Sequence, residues 1–310
     1  MKMNKGNRQS AIFLAILLLL SFMLTIPSLR DASAEIDASL QLGPGIRQDN
    51  LDWSIADIDG SPNILSELTW TDLTIIQIKA SGKLIIADKF YIRGSLGYGE
   101  IIDGENQDSD YSGNHRTGEY SRSNNSTDEG NVYDLSAGLG YQFRIKRLTI
   151  APLIGYSYHT QNLVITDGNQ TIPPIGHFPG LHSTYDAQWD GPWTGLDLSF
   201  TIIEKLMLSG VVEYHWADYK GVADWNLRDD FDHPRSFEHT AEGNGILVSA
   251  AIHYAFSEHW GVGFAGNYQD WSTDPGTDRT FFADGTEVTT RLNEVNWDSV
   301  ATELSITFRF

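Results

Sequence analysis

The chain of 310 residues carries 41 acidic against 21 basic side chains and no cysteine, for a formal net charge of −20. So acidic a chain lacks the basic face that neutralises phosphates, which excludes nucleic-acid binding, and without cysteine any exported fold must hold without disulfides. Mean hydropathy is slightly negative, and no apolar run after Leu24 approaches the roughly 20 residues of a transmembrane helix.

Lys2, Lys5 and Arg8 precede an apolar run from Ala11 to Leu24, and the small residues Ala32-Ser33-Ala34 follow it. This order predicts a secretory signal peptide over residues 1–34, cleaved before Glu35. The run is short for a retained anchor, and no cysteine follows to accept a lipid. Cleavage removes four basic residues and one acidic residue, leaving 17 basic and 40 acidic side chains, a net charge of −23.

Further on, segments of period two bounded by turn residues predict ten strands. They lie near Ile36–Ile46, Ser66–Ile86, Phe90–Gly99, Val132–Ile145, Leu148–Thr160, Tyr185–Ile203, Leu206–Asp218, Gly245–Phe256, Trp260–Trp271 and Trp297–Phe310. Short connections such as Ala87-Asp88-Lys89, Lys146-Arg147, Glu204-Lys205 and Ser257-Glu258-His259 alternate with long ones near 47–65, 100–131, 161–184, 219–244 and 272–296. Strand side chains point alternately to opposite faces, so one face can meet lipid while the other meets a wet lumen. The expected fold is all-β: a ten-stranded antiparallel transmembrane β-barrel with long extracellular loops, one domain over residues 35–310.

The expected place is the outer membrane of a Gram-negative bacterium, with both termini periplasmic because short turns belong on that side. Expected partners are outer-membrane lipid, with lipopolysaccharide as a further candidate, and the barrel assembly machinery; no oligomer is required. The last strand alternates Leu304, Ile306, Phe308 and Phe310 with Glu303, Ser305, Thr307 and Arg309. Its terminal aromatics, Phe308 and Phe310, resemble the assembly signal of such barrels. Trp189, Trp193, Trp216, Tyr219, Trp260, Tyr268, Trp271 and Trp297 lie near strand ends and are expected to form interfacial girdles. Ten strands enclose little more than a crevice, because about eight are filled by side chains and about 16 leave a channel. Lys79, Arg93, Glu213, His215, His253, Glu303 and Arg309 are expected to satisfy one another within it.

The segment from Glu100 to Asn131 holds eight acidic residues against Arg116 and Arg122. Within it Asp108 and Asp110 lie two residues apart, on one side of an extended segment, where two carboxylates can share a proton or polarise a water. A second polar cluster, Asp230, Asp232, His233, Glu238 and His239, mixes imidazole with carboxylate, the usual metal ligands. No established ligand spacing is present, so these are weak metal candidates, and a hydrogen-bonded loop is the preferred reading. There is no phosphate-cradling glycine loop, and no cofactor is expected.

The strand and loop plan, Glu67-Leu68-Thr69-Trp70 entering a long second strand, and Asp108-Ser109-Asp110-Tyr111 together resemble the omptins. These are ten-stranded outer-membrane proteases with a groove at the extracellular mouth. The resemblance implies that a water between an Asp-Asp couple and an Asp-His dyad attacks the peptide bond. The couple maps onto Asp108 and Asp110, and the dyad acid onto Asp224. Where the family's histidine is expected, this chain reads Asn226. An amide takes no proton from water near neutral pH, so the general base is missing there. The adjacent pairs Asp232-His233 and Glu238-His239 have the wrong spacing, since neighbours on a strand face opposite ways. The segment 224–239 is similar to a group of omptin-shaped proteins that includes the Protochlamydia outer membrane protein. The expectation is a non-catalytic barrel with a structural, porin-like or surface-interaction role. The alternative is an omptin-type aspartyl endopeptidase using Asp108, Asp110 and Asp224 with a relocated histidine.

Overall fold

The computed structural model describes residues 36–310. The expected signal peptide, residues 1–34, lies outside the described residues. Ten long strands run as β1 (Ile36–Ile55), β2 (Ser66–Ile86), β3 (Phe90–Gly113), β4 (Thr117–Tyr141), β5 (Leu148–Ile172), β6 (Ser183–Ile203), β7 (Leu206–Asp224), β8 (Phe237–Ala255), β9 (Trp260–Thr273) and β10 (Glu287–Arg309). Each pairs antiparallel with the next, and β1 pairs with β10 from Ser39↔Arg309 to Ile55↔Leu292, closing the ring. Closure leaves no unpaired edge, the condition for strands to stand in hydrocarbon, where a bare N–H or C=O finds no partner. Short strands at Phe143–Ile145, Gly176–His177 and Gly276–Phe281 attach to this ring, the last of them against both β8 and β10.

Side-chain parity determines what each face meets. On β10, Leu304 and Ile306 are 62% and 55% exposed, while Thr307, the next residue and on the opposite face, is 7% exposed. The same alternation exposes Ile76, Ile78, Leu135, Leu139, Ile154, Val212, Ile246 and Phe264, an apolar belt around the half of the barrel that carries the short turns. Phe308 and Phe310 belong to it and touch edge to face at 4.9 Å, with Trp260 against Phe308 at 4.8 Å.

The strands run much farther than hydropathy suggested. Most of the segments expected as loops at 47–65, 100–131, 161–184, 219–244 and 272–296 is ladder, and the acidic segment 100–131 is the top of the β3–β4 hairpin. Beyond the belt the outward side chains turn polar, as with Asp190, Asp218 and Glu242, which stand opposite one another on β6, β7 and β8. Hydropathy alternation fades there, although backbone pairing continues.

The aromatic girdle needs correction. Trp216, Trp260 and Tyr268 do face outward, but Trp189, Trp193, Tyr219, Trp271 and Trp297 are buried inside the barrel. Parity explains it: Trp189 and Trp193 share the inward row of Tyr185 and Ala187 on β6. Nearness to an expected strand end could not reveal the face. Trp271 stacks on Trp297 at 5.4 Å and lies 5.8 Å from Trp189, packing the interior with rings above the lipid belt.

Below these rings the lumen is filled by ion pairs. Arg47 donates to both oxygens of Asp49 (2.6 and 2.5 Å) and to Asp134 (2.7 Å), and His159 meets the other Asp134 oxygen at 2.7 Å. Closer to the short turns, Arg93 pairs with Glu213 and, at 3.3 Å, with Asp197; His215 holds Glu213 at 3.0 Å. Lys79 meets Glu303 at 3.3 Å, and His253 meets the Ser209 hydroxyl at 2.9 Å. Arg309 stands apart, lining the short-turn mouth.

The β1–β10 seam is sterically exacting. A Cβ on Gly43 would lie 1.7 Å from the Leu304 carbonyl oxygen, whereas one on Gly266 would meet nothing within 4 Å. Gly43→Ala should therefore block closure, seen as loss of the compact, heat-modifiable band on a cold-SDS gel, while Gly266→Ala should migrate as wild type. A compact Gly43→Ala band would show that the seam can yield.

Candidate functional site

The long-loop end carries the site. Asp108 and Asp110 sit on β3 opposite Leu68 and Ser66 of β2, and opposite Ser123 and Ser121 of β4. Period two puts both on the inward row that includes buried Asn106, so the pair faces the mouth of the barrel. Burial pushes the Asp108 carboxyl up to about 7, and the neighbouring Asp110 charge pushes the same way. The Trp225 indole donates to Asp108, and Arg228 acts on it as a cation, both favouring the ionised form. Burial raises Asp110 as well, against hydrogen bonds from Ser66 and Ser121 and the charge of Arg228. Near neutral pH Asp108 is therefore divided between its protonated and ionised forms.

Arg228 is itself well held. It clasps Asp230 through two bonds of 2.9 and 2.8 Å and lies over the Phe231 ring at 4.1 Å. Trp225 is fixed by its backbone N–H to Ser236 Oγ at 2.9 Å and by Phe237 against its ring at 4.7 Å. The Tyr120 hydroxyl, pushed up by partial burial and by the Asp110 charge, completes the acidic side.

Asp224 takes a different position from the couple. It ends β7 in the outward row of Lys220 and Val222, while Ala223 faces in and is fully buried. His233 Nδ1 meets Asp224 Oδ1 at 2.7 Å, and that bond raises the imidazole's pKa. A histidine thus stands beside Asp224, reaching it across the turn and not from the strand, so strand parity does not govern it. Asn226 is occupied elsewhere: its amide donates to the Gly180 carbonyl at 2.7 Å and accepts from the His182 backbone at 2.9 Å. It pins one loop to another.

The weak metal candidates separate. Asp230 belongs to Arg228, Glu238 to Lys220 at 2.9 Å, and Asp232 accepts the His233 N–H at 2.9 Å. His239 is fully buried, with Tyr185 Oη on its Nδ1 at 2.9 Å and Asp278 3.2 Å from its Nε2. Among the described residues no group of three or more His, Asp and Glu side chains is placed to hold a metal. Sequence reasoning overlooked Arg228 and Trp225. The available signal was a cation and an indole within four residues of Asp224, on the segment that crosses the mouth.

No curated protein sequence matches the chain. Its fold is similar to that of the outer membrane protease OmpT from Escherichia coli, at 15% identity over 89% of this chain and 96% of that one, with a TM-score of 0.71. It is more distantly similar to the outer membrane protein OprG from Pseudomonas aeruginosa, at 11% identity over 88% of this chain and 95% of that one, with a TM-score of 0.36. The model of the family described as Protochlamydia outer membrane protein matches residues 41–310. With the closed ten-stranded barrel and an omptin-like shape, that match over most of the chain places it: the protein belongs to the Protochlamydia outer membrane protein family.

Proposed function

We propose that the protein is a non-catalytic outer-membrane barrel whose extracellular mouth binds a surface ligand rather than cutting one. In this reading the long loops lie outside the cell and the short turns and both termini in the periplasm, as short turns do in such barrels. Lipid, lipopolysaccharide and the assembly machinery are its expected partners. The observation that carries the reading is the identity of the cation acting on the carboxylate couple. It is the guanidinium of Arg228, which stays protonated in proteins and cannot serve as a general base. The imidazole of His233 engages Asp224 on the outward row, away from the inward couple.

A peptide containing paired basic residues, incubated with the refolded barrel with and without lipopolysaccharide, should stay intact by mass spectrometry. Cleavage that disappears in Asp108→Asn would overturn the reading. The 2.7 Å Asp224–His233 bond favours one rival, an omptin-type endopeptidase with a displaced dyad. In that case His233→Ala and Asp108→Asn would abolish cleavage together.

A further inference from the structure

The basic side chains of this acidic protein are unevenly neutralised. Of the 17 that follow residue 35, nine form ion pairs with carboxylates. Eight have no carboxylate within ion-pair distance among the described residues, and six of those eight line one cavity: Lys83, Arg144, Lys146, Arg147, Lys205 and Arg309. The cavity is the vestibule inside the short-turn mouth, with a volume of about 650 Å³. That volume lies within the roughly 300–1,000 Å³ typical of small-molecule sites.

Its acidic lining does not neutralise it. Asp197 is engaged by Arg93 at 3.3 Å and by the Tyr91 hydroxyl at 2.8 Å, leaving Asp37 and Glu204 against six cations. Random placement of so few basic groups in a chain of net −23 would surround each with carboxylates. Instead they are gathered where they repel one another, an arrangement that an anion relieves. Arginine forks and lysine ammonium groups together are the usual receptors of phosphate oxygens. Deeper in, the space contracts to about 170 Å³ beside Arg93, Glu213 and His215, so a solute entering from this end is held at the mouth.

We propose that this vestibule is a binding site for phosphate-bearing anions at the periplasmic face. The placement at that face rests on the orientation proposed above; the site itself does not. Two sources share the chemistry, a soluble phosphate-bearing solute inside the cavity and the headgroup of an anionic inner-leaflet phospholipid at its rim.

Calorimetric titration of inorganic pyrophosphate into the refolded barrel, in zwitterionic detergent at low salt, tests the site. Wild type should bind in the micromolar range. The Lys83→Met/Arg309→Gln double variant should bind at least tenfold more weakly, and Arg291→Gln, at the other end, should bind as wild type. If the double variant loses its compact gel band, Lys146→Gln/Lys205→Gln takes its place with the same expected loss. Heats no larger than those from sodium chloride, or equal affinity in all variants, would overturn the proposal. In lipid nanodiscs, pyrophosphate binding that weakens when phosphatidylglycerol replaces phosphatidylcholine identifies the headgroup as the source, and binding that does not weaken identifies the soluble anion. Detergent exposes both ends, so a failure there is independent of orientation. Orientation is read separately with Lys146→Cys, the sole thiol in such a variant, which a membrane-impermeant maleimide should label only after the outer membrane is breached.

Discussion

Arg47→Met should lower the stability of the barrel by about 3–5 kcal/mol, the range found when one partner of a buried ion pair is removed. Arg47 is 2% exposed and bridges Asp49, itself fully buried, to Asp134. Its loss leaves two carboxylates in the lumen with little water to replace the guanidinium. Asp49 also accepts the Trp297 indole at 3.1 Å and the Gln161 amide at 3.0 Å, so the damage should reach the ring stack above. Urea unfolding followed by tryptophan fluorescence in detergent micelles would measure it, because Trp297 reports on that tier directly. Arg47→Met/Asp49→Leu/Asp134→Leu should recover more than half of the loss, since it removes the orphaned charges along with their partner. A single variant within about 1 kcal/mol of wild type would mean that water hydrates this tier of the lumen.

Much of this architecture was legible because lipid imposes a strict rule. Leu304, Ile306, Phe308 and Phe310 can share a face only if that face meets hydrocarbon, and the closed barrel follows from repeating the rule around ten strands. Where lipid ends, so does the rule. Asp190, Asp218 and Glu242 lie on a continuous ladder yet read as loop, because water accepts any outward side chain. The buried Trp189 and Trp271 were misplaced for a related reason. A ring near the membrane boundary suits either face, and only its parity against Tyr185 or Gln269 separates them.

The candidate site was half legible for a different reason. Asp108 and Asp110 lie on one strand, so their spacing fixes their common face. Arg228 and His233 reach their places through the turn between Asp224 and Phe237, where no periodicity constrains direction. Asn226 shows the limit most clearly. Its departure from the expected histidine was visible, but its actual use, joining the turn to Gly180 and His182, depends on a loop more than forty residues away in sequence.

Asp108→Asn should stabilise the protein above neutral pH, which is the reverse of what removing a structural carboxylate does. The sign follows from linkage. In the folded chain burial and Asp110 raise the Asp108 carboxyl to about 7, against an ordinary value of 3.8. The folded state therefore binds the extra proton between these values, and the unfolded state does not. Stability from this group is full below about pH 4 and is lost as pH rises through 7. At pH 8.5 wild type holds two ionised carboxylates side by side, and Asn removes one of them for a gain on the order of 2 kcal/mol after allowing for partial solvent access. At pH 4 the variant should match wild type. Arg228→Gln should act in the opposite direction, since the guanidinium holds the couple's pKa values down, and its loss should make the decline with pH continue to higher pH and run deeper. Urea midpoints for the three proteins between pH 4 and 9 give the comparison. Parallel curves would show that the couple is hydrated and independent of Arg228. Curves that converge at pH 4 and separate as the pH rises through 7 would show that the couple holds a proton into the neutral range and that the Arg228 cation acts on it.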